Sequence, residues 1–135
     1  MAEHGDIIDI TFTNPDLGSG RFSPIAANSN SYDVGGFRNS DDANMITGNG
    51  DLVVKKNRVR AHFECLVEDD MNVAEDAVKA AAIAASSKST EWTFSLVNGT
   101  VWRGSGIIVG DIQPDTDAGT FTLKVADKIF KKIAG

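Results

Sequence analysis

The sequence predicts a mainly β protein with one α-helix. Three observations carry that reading. Four segments alternate apolar and polar residues with a period of two. Asn-Gly and Gly-Asn-Gly turn signals separate the segments, and a single alanine-rich stretch breaks the alternation. Turns rich in Gly and Asn allow the positive φ that tight hairpins require.

Ile8, Ile10 and Phe12 alternate with Asp9, Thr11 and Thr13 in the first segment. The second and clearest runs from Arg58 to Glu68. There Val59, Ala61, Phe63, Cys65 and Val67 form a dry face, and Leu66 is the apolar intruder on the wet one. Trp92, Phe94 and Leu96 continue the dry side, as do Phe121, Leu123 and Val125. Asn98-Gly99 before Val101–Ile112 reads as a two-residue type I′ hairpin. Gly48–Gly50 and the PDTDAG run 114–119 mark two further turns. Gly104, Gly106 and Gly110 predict a bulge or bend within 101–112. The helix is expected over about 72–86. Asn72 and Glu75 have capping-box spacing, Glu75 and Asp76 suit the positive end of the helix dipole, and Val73, Ala77, Ala81 and Ala84 share a stripe. Residues 14–50 differ: glycine, asparagine and serine dominate, and the expectation is a long arm without regular structure.

The chain has 135 residues, with 19 acidic and 13 basic groups, a net charge of −6 and one cysteine. One domain, 1–135, is expected at that length. A lone Cys excludes an intramolecular disulfide framework and a Cys-rich zinc site. No apolar run reaches the ~18 residues needed to span a bilayer, so membrane insertion is not expected. The start, MAEHGD, has neither the basic nor the apolar region of a secretory leader. The negative balance argues against affinity for a phosphate backbone as the main task.

Catalytic, metal and cofactor residues are expected to be absent. His62 and Cys65, three apart on one strand, point to opposite faces and cannot form a dyad, and Cys65 reads as core filler. Gly104-Ser105-Gly106 with Gly110 misses the dinucleotide-loop spacing by one residue and lies within strand-like sequence. Asp115-Thr116-Asp117 lacks the third and the distal ligands of a calcium loop. Glu68, Asp69 and Asp70 are explained by the helix N-terminus that follows. Lys55, Lys56, Arg58 and Arg60 form the one basic cluster, without the interleaved aromatics of a nucleic-acid binder.

What remains is assembly. The segments 58–68 and 101–112 would each reach about 35 Å at roughly 3.3 Å per residue, longer than such a domain needs. Their polar face, with Arg58, Arg60, Glu64, Thr93, Ser95, Arg103 and Thr122, is expected to face a solvated lumen or a neighbouring subunit. In the arm, Phe22, Ile25, Tyr32, Val34, Phe37, Met45 and Ile46 are spaced as anchors on another chain. Phe37–Gly50 is expected to reach the next ring of a stack, and Gly18–Val34 the subunits beside or below.

The order of strand, glycine-rich arm, hairpin at TGNGD, strand RVRAHFECLVED, helix NVAEDAVKAAAIAAS, then EWTFSLVNGT and the GSGIIVGDIQPDTDAGTFTLKV ending resembles the tail tube proteins of contractile-tailed bacteriophages, from about Ile7 to Ile129. Tubes of type VI secretion and other contractile injection systems share the plan. The resemblance implies a β-sandwich or partial barrel of two packed sheets with one flanking helix. It also implies six-membered rings stacked into a tube in the virion tail, assembled in the bacterial host cytoplasm. The implied partners are further copies of the chain, the sheath, tape-measure and baseplate or terminator proteins, and DNA in non-specific transit; no cofactor is implied. The alternative from another class is a monomeric β-sandwich binding carbohydrate or peptide, which predicts a concave aromatic patch. A small enzyme is a third.

Overall fold

A computed structural model describes residues 5–26, 30–39, 44–72, 75–127 and 129–134. Twelve strands and one helix follow in the order β1 (Ile7–Asn14), β2 (Gly18–Phe22), β3 (Ser31–Asp33), β4 (Gly36–Asn39), β5 (Met45–Ile46), β6 (Leu52–Val53), β7 (Lys56–Val59), β8 (Ala61–Glu68), α1 (Asp76–Ala85), β9 (Thr90–Leu96), β10 (Val101–Ile108), β11 (Thr120–Asp127) and β12 (Lys131–Ala134). The protein is mainly β and sandwich-like, with a single helix among the described residues. The main sheet is antiparallel, in the order β2-β1-β9-β10-β11-β8-β3, and β12 also pairs with β10.

The alternation seen in the sequence is what folds this sheet, except at the start of β1. There an irregularity in the pairing between Ile7 and Asp9 buries Ile7 and leaves Ile8, expected on the dry side, exposed. Phe63, Cys65, Val67, Trp92, Phe94, Phe121, Leu123 and Val125 are all buried in one apolar cluster, joined by Ile10, Phe12, Phe22 and Phe130. The rings interlock: Phe63 lies 5.0 Å from Phe94, and Phe22 stacks 6.1 Å from Trp92. Segments outside the strands add backbone links to the sheet. Beyond β2, Ser23 O accepts from Glu68 N–H and Ile25 N–H donates to Leu66 O, so the strip after β2 crosses to the outer edge of β8. Phe130 N–H to Val34 O then carries the pairing on toward β12. With the isolated Pro24–Val67 bridge, these contacts bring the segment after β2 alongside β8 in the sandwich-like fold.

Several expected elements change here. The predicted strand 58–68 is broken at Arg60. β7 pairs with β4, while β8 pairs with β11 and β3, so the two halves belong to different sheets. Val59, expected in the core, is half-buried for the same reason. The second long strand ends at Ile108, not Ile112. Both reach about 25 Å, an ordinary domain length.

The Asn98-Gly99 turn is a hairpin, but not of type I′. Only Gly99 has positive φ (90°), Gly99 N–H closes on Leu96 O, and Leu96 N–H donates to Thr100 O. That is a three-residue loop with a glycine bulge. The Thr47–Asp51 turn repeats the arrangement with Gly50 at φ 89°. In the 114–119 turn, Asp115 Oδ1 accepts from the N–H groups of Asp117 and Ala118, so its carboxylate is spent on the backbone.

The helix starts at Asp76, later than predicted, because Asn72 does not cap it. Glu75 is the N-cap in a left-handed conformation (φ 49°), and the capping acceptor is Asp69, whose Oδ1 takes the Ala77 N–H at 3.2 Å. The buried stripe is Asp76, Ala80 and Ile83, with Ala77 half-buried; Ala81 and Ala84 face outward and Val73 lies outside the described residues. The helix ends at Ser86, as expected.

Gly104 and Gly106 face inward on β10. A Cβ on Gly104 would fall inside 3 Å of the Asp127 carboxylate and the Phe130 ring, and one on Gly106 would strike the Ala126 backbone. These glycines make room for the chain leaving β11. At that point β10 exchanges β12 for β11 as its neighbour, and Asp127 Oδ2 accepts the Ser105 N–H at 2.7 Å.

Asn14 ties β1 to its surroundings. It is buried; its Nδ2 donates to Thr90 Oγ1 at 2.9 Å and its Oδ1 accepts from the Asp16 and Leu17 N–H groups. Asn14→Ala should therefore cost about 1–3 kcal/mol, since it strands a buried hydroxyl and opens a turn. Chemical denaturation of the two proteins measures it, and no change in midpoint would refute the role.

Candidate assembly surface

The segment 14–50 is not the structureless arm that its composition predicts. Gly18–Phe22 and Ser31–Asp33 are strands of the main sheet. Glycines there serve turns and close contacts: Gly20 lies under the Phe12 ring, where a Cβ would come within 3.0 Å. Phe22, predicted to anchor on a neighbour, is fully buried against Phe12, Trp92 and Phe121 of its own chain. Ile25 is half-buried and bonded to β8. Tyr32, on the rim, leans on Phe94 and Trp102 at 5.4 and 6.2 Å. Val34 packs against the core.

What does stand apart is a ribbon, residues 36–59. β4 pairs with β7, β5 pairs with β6, and neither pair joins the main sheet. Between them Asn39 Nδ2 donates to Lys55 O at 2.8 Å, while Asn39 and Asn44 exchange amide hydrogen bonds. Residues 40–43, within the predicted arm, lie outside the described residues. The returning side consists of two short strands, β6 and β7, separated by Val54 and Lys55.

The ribbon's root is sharply defined. Gly35 and Gly36 turn the chain with φ of 78° and 108°, values that side chains rarely allow. Asp33 holds the corner, accepting the Gly35 N–H at 2.9 Å and the Arg38 guanidinium at 2.5 Å. Arg58 lies 4.8 Å over the Phe37 ring.

Its tip is apolar on both sides. Met45 sits opposite Val53 and Ile46 opposite Leu52, so successive pairs point to opposite faces. Met45 is 62% exposed, Ile46 71%, Leu52 68% and Phe37 59%. A two-stranded ribbon is marginal alone, and burial of this surface would add roughly 25 cal/mol per Å². Phe37, Met45 and Ile46, expected as anchors on another chain, are exposed, and so are Leu52 and Val53, which the sequence reading did not single out. Their place opposite Met45 and Ile46 across the Gly48–Gly50 turn is the signal that could have found them.

The expected polar face is divided. Register sets Thr11, Thr93 and Arg103 side by side, with Asp9 beside Ser95 and Thr13 beside Glu91. Arg103 pairs with Glu91, and Arg21 with Asp9 at 3.6 Å. Thr93, Ser95 and Arg103 therefore share one wall of mixed charge. Glu64 and Thr122 lie instead on the outer side of β8 and β11, beside Lys124 and Leu66. Arg58 sits on the ribbon and Arg60 at the break before β8, both exposed. The seven residues do not form one surface. Curling of the sheet separates strands that a flat reading puts together.

Cys65 is buried with 1% exposure, and His62 points to the other side of β8. Burial, with a smaller contribution from the Asp6 charge, pushes the thiol from 9.0 up to about 12. The unfolded chain therefore loses this proton first. The contribution of this thiol to stability is full below pH 9 and declines between pH 9 and about 12, by at most about 1.4 kcal/mol per pH unit. Cys65→Val should flatten that part of the stability–pH curve relative to the native sequence. Equal slopes, or rapid thiol labelling of the folded protein at pH 8, would refute it.

No family model matches the chain, and a search of curated proteins finds no match either.

Proposed function

We propose that this protein is a structural subunit of a bacteriophage tail tube, in which hexameric rings stack around a channel for DNA. The observation that carries the reading is the ribbon 36–59: an extended element with both tip faces apolar and no strand partner in the main sheet. Such a surface gains stability when other copies cover it. The sequence resemblance gives the kind of assembly, and the Thr93, Ser95 and Arg103 wall supplies a polar, charge-balanced surface of the sort a channel for DNA needs, because phosphate affinity requires net positive charge. Sheath, tape-measure and terminator proteins are the further partners in this reading, and no catalytic step is part of it.

The competing binding module would need exposed rings around a cleft. Trp92 is fully buried, and the exposed rings Tyr32 and Phe37 sit on different sheets, Tyr32 on β3 of the main sheet and Phe37 on β4 of the ribbon. Negative-stain electron microscopy of the purified protein over a range of concentrations tests the proposal. Hexagonal rings or tubes are expected, increasing with concentration by mass action. Featureless monomers at high concentration would overturn it.

A further inference from the structure

We infer that the ribbon tip of one copy seats in a groove at the opposite end of the next copy, between helix α1 and the turn before β11. This rests on the assembly reading above and adds the socket. The groove has a volume of about 440 Å³, and Met71, Ala77, Val78 and Pro114 line it together with Asp69 and Glu75. Met71 is 70% exposed and Val78 66%, and they are large apolar side chains left uncovered beside a helix whose buried apolar residues are Ala80 and Ile83.

Charge makes the two surfaces complementary. Residues 55–60 carry Lys55, Lys56, Arg58 and Arg60 without an acid; residues 68–76 carry Glu68, Asp69, Asp70, Glu75 and Asp76 without a base. Among the described residues Lys55, Lys56 and Arg60 form no ion pair within their own chain. Asp69 and Asp76 are engaged at the helix start, which leaves exposed Glu75 and Glu68 to meet the basic stem. An apolar tip on a basic stem therefore fits a groove whose lining is apolar with acidic groups in and beside it. The occupant is a second copy, because the chain itself carries both halves.

Topology fixes the direction. β8 and β11 run side by side from the Ala61–Asp127 pair to the Glu68–Thr120 pair. The ribbon precedes the first end and the groove follows the second, about 23 Å away at roughly 3.3 Å per residue. A plug at one end and a socket at the other give a heterologous, head-to-tail contact that repeats without closing on the pair. That is the geometry of a stack.

Disulfide trapping tests it. Full-length Leu52→Cys and Met71→Cys chains, each also carrying Cys65→Val, are mixed, oxidised and run on a non-reducing gel, with Leu52→Cys plus Thr11→Cys as the control pair. A dimer-sized product several-fold above the control is expected. Glu75→Lys should raise the concentration needed for assembly about tenfold, equivalent to about 1.4 kcal/mol, and Arg58→Glu in the same chain should restore it. Tubes or rings that form without the 52–71 cross-link would overturn the socket and leave the tube reading standing. The cross-link in oligomers that are not tubular would support the socket and count against the tube. A native chain that stays monomeric at every concentration would overturn both.

Discussion

Phe22→Ala should cost roughly 3–5 kcal/mol of folding stability, the range for removing a large buried ring. Phe22 is fully buried, tilted against Phe12 at 5.4 Å, stacked on Trp92 and edge-on to Phe121. Truncation empties space that three other rings line, and close packing of those rings restricts collapse into it. The same residue read as a docking anchor would leave an isolated subunit unchanged. Equilibrium urea unfolding of wild type, Phe22→Ala and Thr93→Ala decides between them. Thr93 is half-buried on the outer wall, and its truncation should stay within about 0.5 kcal/mol. A Phe22→Ala loss no larger than that of Thr93→Ala would remove β2 from the core.

Ile46→Asp combined with Leu52→Asp should have the opposite profile. The two side chains face each other across the ribbon, on one face of the tip, and neither contributes to the core cluster. Folding stability should therefore change by no more than about 0.5 kcal/mol. Assembly should fail, because two carboxylates would lose their hydration in any apolar seat. A rise of at least about a hundredfold in the concentration for half-assembly corresponds to about 2.8 kcal/mol. Sedimentation velocity and microscopy measure the assembly, and a urea melt measures the fold. Normal tubes from the double variant would remove the ribbon from the interface. A variant that no longer folds would show instead that the tip supports its own subunit.

The alternation of Phe63, Cys65, Trp92, Phe94, Phe121, Leu123 and Val125 determined which side of each strand is dry, and the structure buries every one of them. Face is a local property: side chains alternate along any extended chain, so the burial pattern can be read without knowing the neighbours. The glycine turns at 48–50 and 98–99 were legible for a similar reason, since positive φ is a demand of the backbone itself.

What only tertiary structure decided was pairing. Nothing in RVRAHFECLVED marks Arg60 as a break. It arises because β7 follows β4 into the ribbon while β8 turns between β11 and β3. The glycine-rich stretch was misread because composition reports low apolar content, whereas β2 and β3 are held by edge hydrogen bonds and a few well-placed rings such as Phe22. Helix capping went the same way: Asn72 has the right spacing, but the acceptor that reaches the Ala77 N–H is Asp69, delivered by the end of β8. Thr93, Arg103, Glu64 and Thr122 all lie off the apolar core. Whether they share a surface depends on how the sheet curls, and curl is set by the whole ladder rather than by any one strand.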